Sequence, residues 1–396
     1  MAPCWSADAA PRRPASAGVL AALCAAFLVL IAGGMARAME SPAPRVLVVE
    51  SDSGSLLYAK GANEAFAPGN FTKLVTAATV RAAIEAGEIR PDTVYSVSEH
   101  AWRTGGAPAR VTTMFAAVKS SVPVEALLRG LVIHYANDAA IVLAEGLSGS
   151  EAAFAKRMND FAQSIGMKGS QFVNPTGFPD RRARVTLADL RLLVDTVRTR
   201  WPDLHALYAV PEFEWNRIPQ RNKTRYLTEI AGTEGFVMAY EETAGHSAAI
   251  SVVRDGRRLM VLASGFGGEK ERDAGMKALV AAGFDDFTRV TLFEPGTEIG
   301  SVRIFGGTAA RVAVTGDRAI TITLPKGGRD AFRLAVVYDG PVPAPVTRGE
   351  TVASLEVRNG DEVYQSVPLV AAEDVPIGDL TQRARDGLLE LLLGWW

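Results

Sequence analysis

Few side chains in this sequence are equipped for bond-making chemistry, and their spacing narrows the field. The two cysteines, Cys4 and Cys24, both fall within the first 38 residues. Loss of that segment on export excludes disulfides, thiolate zinc sites and a cysteine nucleophile. The four histidines, His100, His134, His205 and His246, include no pair at the i, i+4 spacing that sets two imidazoles on one helix face around zinc. No metal or other cofactor is expected. A lysine amine can activate a serine hydroxyl that lies within its reach, as one helical turn of spacing allows. The nine lysines are Lys60, Lys73, Lys119, Lys156, Lys168, Lys223, Lys270, Lys277 and Lys326, and none has serine three residues before it. No asparagine has serine two residues before it either, and Lys223-Thr224, the one Lys-Thr pair, is followed by Arg225.

The elements that would position such residues are legible from periodicity. Arg45 to Glu50 and Ser55 to Ala59 read as strands joined by the Ser51-Asp52-Ser53-Gly54 turn. Phe71, Leu74, Val75 and Ala78 lie on one face of a helix. Val122 to Leu147 reads as one helical stretch with Pro123 in its opening turn, and Glu151 to Ile165 as another, stopped by Gly166. Asp255-Gly256 between two apolar runs marks a hairpin, followed by a helix from Glu269 to Ala282 that ends at Gly283. The pattern predicts an α/β (mixed α+β) fold, a sheet covered by helices. From Leu292 short β-rich runs alternate with turns, which predicts a small all-β domain with Pro341, Pro343 and Pro345 on an edge or loop. The implied units are 1–38, 39–290, 291–376 and 377–396.

The 396 residues are 48% apolar and 22% charged with a net charge of -2, a globular balance. No basic run suggests nucleic-acid binding. Arg12 and Arg13, an apolar run from Ala17 to Ala32 and Ala36-Arg37-Ala38 give residues 1–38 the layout of a secretory signal peptide, with a membrane anchor as the rival. At the other end, Leu380, Ala384, Leu388, Leu391, Leu392 and Trp395 share one helical face, widened by Leu389, Leu393 and Trp396. Such an amphipathic helix suits a membrane surface, or packs on the β domain.

Several segments together resemble the low-molecular-weight penicillin-binding proteins, the serine D-Ala-D-Ala carboxypeptidases. They are Leu47 to Gly54 with Leu56-Leu57-Tyr58, Val122 to Gly130, Asn137-Asp138-Ala139-Ala140, Phe172-Val173-Asn174-Pro175-Thr176-Gly177, and Asp339-Gly340-Pro341 through Leu369 to Val375. The resemblance implies a β-lactamase-like sheet covered by helices, a β-rich appendage, and three motifs, S-x-x-K, S-x-N and K-T-G. Here the first aligns with Asn70-Phe71-Thr72-Lys73, the second with Tyr135-Ala136-Asn137 and the third with Val237-Met238-Ala239. The family-equivalent catalytic positions are thus Asn70, Lys73, Tyr135 and Asn137, and the substrate-binding positions Val237, Met238, Ala239 and Arg272. The attacking hydroxyl, the relay hydroxyl, the cation and the close-approach glycine are all replaced. Loss of a serine nucleophile lowers turnover about 10⁶-fold in another serine hydrolase.

Two rescues are conceivable: Tyr135 as nucleophile with its pKa depressed by Lys73, or the displaced hydroxyl of Thr72. Lys73 either pairs with a ligand carboxylate or is buried and satisfied by Asn137 and backbone carbonyls. Arg272 either meets a substrate carboxylate or is a surface arginine at a helix start. Tyr135, Met238 and Phe236 are expected to fill the old cleft. The leading expectation is an exported, periplasmic, membrane-peripheral relative without acyl-enzyme chemistry, which binds peptidoglycan stem peptide or a cell-wall protein. A carboxypeptidase with a relocated nucleophile and a purely structural envelope protein are the alternatives.

Overall fold

The computed structural model describes residues 39–327 and 329–393. Residues 1–38, read above as a leader, and with them both cysteines, lie outside the described residues. Five antiparallel strands form the central sheet: β1 (Arg45–Glu50), β2 (Ser55–Lys60), β3 (Thr233–Glu241), β4 (Gly245–Arg254) and β5 (Arg257–Phe266), in the order β2-β1-β5-β4-β3. The hairpin turn between β4 and β5 places Asp255 and Gly256 at φ 48 and 70, the left-handed pair that matches strand twist. Strand β1 is a continuous apolar run because both of its faces are covered. Leu47 and Val49 face one core, Val46 and Val48 the other.

The first core is built by α1 (Thr72–Glu85), α2 (Val124–His134), α3 (Asn137–Ser148), α4 (Glu151–Ser164) and α5 (Leu187–Arg200). Helix α1 runs through its centre, with every residue from Thr72 to Val80 buried. The second core packs Met276, Leu279 and Val280 of α6 (Glu269–Asp285) on the opposite sheet face.

Two helix boundaries differ from the periodic reading. The expected single helix from Val122 to Leu147 is broken at Tyr135, which adopts φ 60 and ψ 32. Pro123 precedes α2 in extended conformation and does not occupy its first turn. Gly283 lies inside α6, where a Cβ would come 2.6 Å from Leu259 Cδ1. It serves close packing of helix on sheet and does not stop the helix.

Beyond α6, Phe287–Phe293 pairs with Ile320–Pro325, and a six-stranded sheet carries the rest of the β region. Val342–Pro343 is a two-residue strand at its edge, where the missing proline N–H costs no ladder bond. The β region is tied to the first domain through Ser55, whose hydroxyl donates to Gln365 (2.8 Å) and accepts the Thr323 N–H (2.9 Å). The last helix, α7 (Leu380–Leu393), is held near its middle by Asp386, which accepts the Gly306 N–H at 2.8 Å. Leu380 and Leu388 remain 81% and 63% exposed. The side chains of residues 389–396 lie outside what the structure describes. Among the described residues no helix is long and apolar enough to cross a membrane.

Candidate functional site

Three structural corners meet at the N-terminus of α1: the turn before it, the link between α2 and α3, and the edge strand β3. A short 3-10 turn over Gly69–Phe71 sets Asn70 against β3. At Gly69, φ is 50 and a Cβ would lie 2.9 Å from Tyr240 O, so only glycine lets the turn approach the strand this closely. The neighbouring loop is shaped by Asn174, whose Oδ1 accepts from Thr176 N (3.2 Å), Gly177 N (2.7 Å) and Thr176 Oγ1 (3.1 Å).

Lys73 is the second residue of α1, one helical turn after Asn70, and is 4% exposed. Its amine donates to Thr176 O (2.5 Å) and to Asn70 Oδ1 (3.0 Å). Burial without a carboxylate partner lowers its pKa to about 7. The buried-lysine reading therefore holds, with a different set of partners: Asn70 takes the place expected of Asn137. Asn137 instead donates to Thr112 O at 3.0 Å, and its Oδ1 is buried with no hydrogen-bond partner.

Tyr135 is the residue aligned above with the serine of the second motif. Its hydroxyl accepts the Met238 N–H (3.1 Å) and lies 2.6 Å from Thr224 Oγ1, which donates to Phe236 O (2.9 Å). Burial pushes the phenol up to about 12, with Arg272 the charge pulling the other way. The depression by Lys73 that a tyrosine nucleophile would need is not found: burial dominates, and Thr224, Met238 and Arg272 are the groups that oppose it. Thr72 is buried, and neither of the partners of the Lys73 amine is a hydroxyl.

On β3, Met238 turns its N–H and C=O away from β4. Tyr135 takes the N–H, and Asn70 Nδ2 donates to the C=O at 3.2 Å. The groups at the first two motif positions thus hydrogen-bond to the backbone at the third. Asn70 and Tyr240 stand between two cavities. One, of about 470 Å³, is lined by residues including Tyr135, Met238, Ala239 and Arg272. The other, of about 370 Å³, is lined by residues including Lys73, Asn137, Glu241 and Glu242. Phe236 lines neither and does not fill the cleft as expected. It faces the helical core, its ring 4.8 Å from Tyr208 and 5.2 Å from His205. Val237 is buried in the same core and lines neither cavity.

Arg272 starts α6 but is not a surface residue. It is 3% exposed, 3.0 Å from Asp273 and 3.3 Å from the Tyr226 hydroxyl, with one side on the larger cavity. Sequence reasoning missed Thr224, Thr176 and Tyr240 as participants. Thr224 had one signal, its place in the Lys-Thr pair, but its distance of 89 positions from Tyr135 hid the contact.

Sheet order, the central buried helix and the three meeting corners define a penicillin-recognising peptidase fold. A model of the D-alanyl-D-alanine carboxypeptidases (peptidase S11) matches residues 34–265, and one of the penicillin-binding protein 5 C-terminal domain matches residues 287–376. The chain belongs to the D-alanyl-D-alanine carboxypeptidase family, whose members work in peptidoglycan metabolism. Among curated relatives, the D-alanyl-D-alanine carboxypeptidase DacD of Escherichia coli is 26% identical over 344 residues, 86% of this chain and 88% of its own. DacF of Bacillus subtilis is 25% identical over 339 residues, 84% of this chain and 86% of its own. The solved penicillin-binding protein 5 of Haemophilus influenzae superposes with a TM-score of 0.72 at 25% identity, covering 85% of this chain and 98% of its own.

Proposed function

We propose that this protein is an exported member of the carboxypeptidase family that has given up acyl-enzyme chemistry and acts in the cell envelope by binding peptidoglycan stem peptide or a cell-wall protein. The observation that carries this reading is the environment of Lys73. An amine that titrates near neutral pH is a suitable base for a serine, but its two partners here are carbonyl oxygens, Asn70 Oδ1 and Thr176 O. An amide at Asn70 has no ionisable hydroxyl to surrender, so no attacking oxygen forms. The leader-like residues 1–38 support export, and the exposed Leu380 and Leu388 on α7 support contact with a membrane surface.

The test is covalent labelling of the purified protein with a fluorescent penicillin, read by intact mass, beside an assay for D-Ala release from a pentapeptide. No adduct and no release above a Lys73→Ala control are expected. An adduct at any residue overturns the reading, and its mapped position names the nucleophile.

A further inference from the structure

The larger cavity carries more positive charge than its own neighbours neutralise. Arg221, Lys223, Arg225 and Arg272 line it, against one carboxylate, Glu269. Arg225 and Arg272 share Asp273, at 2.7 and 3.0 Å, and Arg225 also meets Glu269 (3.5 Å) and Glu229 (3.9 Å), so the surplus charge is that of Arg221 and Lys223. Arg221 and Lys223 are exposed, and among the described residues neither has an ion-pair partner. Their backbone is nevertheless fixed. The Lys223 N–H donates to Ile133 O (3.0 Å), and Arg221 O meets the His134 ring (2.9 Å). Between them the Asn222 amide bridges Tyr208 O (3.0 Å) and Val210 O (2.9 Å). A rigid backbone reduces the ordering cost of any ligand those cations hold.

The field of these cations reaches the cavity wall from two sides. Burial lowers the His134 pKa and the Lys223 charge adds to that, while Arg272 acts on the Tyr135 hydroxyl. Strand β3 offers no cation here, since Val237 and Met238 stand where the family motif has lysine and threonine. The positive charge stands on the facing segment, residues 221–225. Met238 also has both outward backbone groups occupied, so a ligand cannot pair with the strand at that residue.

We infer that this cavity binds the end of a peptide carrying two carboxylates, one held by Arg272 at the buried end and the other by Arg221 and Lys223. A guanidinium suits a carboxylate through its planar fork, and an ammonium through its point charge. This inference rests on the proposed peptide-binding role and gives it a ligand class.

The experiment is calorimetric titration of the full protein at low salt with three probes: N-acetyl-D-Ala-D-Ala, N-acetyl-D-Ala-D-Glu and N-acetyl-D-Ala-D-Ala amide. The dicarboxylate is expected to bind about tenfold more tightly than the monocarboxylate, with the amide weakest. The double variant Arg221→Gln/Lys223→Gln, both at exposed positions, should abolish that advantage and leave monocarboxylate binding in place. Arg272→Lys should weaken both acids. Equal affinity for one and two carboxylates, an advantage that survives the double variant, or no binding of any probe overturns the inference. Inorganic pyrophosphate binding more tightly than the dicarboxylate also overturns it, assigning the charge to a phosphate ligand. None of these outcomes depends on whether penicillin forms an adduct, so failure here and failure of the proposed function remain distinguishable.

Discussion

Asp138 and Asn70 stand at the starts of neighbouring helices, α3 and α1, and are used in opposite ways. Asp138 is fully buried and gathers four donors: Thr113 Oγ1 (2.6 Å), Met114 N (2.9 Å), Ala116 N (3.1 Å) and Ala139 N (2.9 Å). Its work is to pin the 113–116 loop onto the helix. Asn70 is half-buried and bonds across elements, to Lys73 and to the edge strand. Segments bearing the family resemblance, such as Asn137-Asp138 and the Asn174 loop, organise backbone, whereas the replaced motif positions bond one another. The frame of the cleft around α3 is therefore maintained by Asp138, a group outside the positions aligned with the family motifs.

The sharpest way to break that comparison is Asn70→Ser. If the frame is intact, returning a hydroxyl beside a Lys73 amine whose pKa is lowered to about 7 should bring back penicillin labelling, a change of orders of magnitude. Intact mass should show the adduct at residue 70. An intact, folded variant that stays unlabelled would place the block in the strand edge around Met238. Next in size is the linkage of Lys73 to pH. Its folded pKa of about 7 lies below the ordinary 10.5, so between these values the unfolded chain binds more protons and stability rises with pH. Below about pH 7 the burial penalty is complete. Lys73→Met lacks it, so its stability relative to the parent should be greater at pH 6 than at pH 10, by on the order of 4 kcal/mol. Denaturant melts at the two pH values measure this, and a pH-independent difference would mean that the buried amine does not titrate as described.

Asp138→Ala should come third. Four donors lose one acceptor, three of them backbone N–H groups, and a cost of about 3 kcal/mol is expected in thermal or denaturant unfolding. A loss within the range of a surface substitution would remove Asp138 from the frame and weaken the contrast with Asn70.

Most of the frame could be read from periodicity and turn chemistry, because strands such as β1 and hairpins such as Asp255-Gly256 carry their geometry in local residue types. The site was legible as a set of positions, through resemblance, but its contacts were not. Tyr135 shows why. Apolar residues continue on both sides of it, so helical spacing gives no sign of a break, and a bulky residue at positive φ is normally avoided. Its conformation is maintained by a hydroxyl network that reaches Thr224 and β3, far along the chain. Phe236 was misread for a related reason: side-chain volume says nothing about direction, and a register irregularity between Thr233 and Phe236 precedes a ring that packs on Tyr208.

The smallest effect tests whether the replaced positions truly act together. Tyr135→Phe keeps the ring and removes one oxygen, leaving the Met238 N–H without its acceptor while Thr224 still donates to Phe236 O. One orphaned buried N–H costs about 2 kcal/mol, which a denaturant melt should show. Hydrogen exchange at the Met238 amide should quicken at the same time. Asn70→Ala removes the partner of Met238 C=O from the other side, so the two changes converge on a single peptide group. Residues that meet at one group couple, and the double variant should therefore depart from the sum of the singles by about 0.5 kcal/mol or more. Strict additivity would mean that Asn70 and Tyr135 each settled against β3 independently. Coupling would mean that the edge strand, where a peptide would otherwise pair, is closed by the two replacements as a unit.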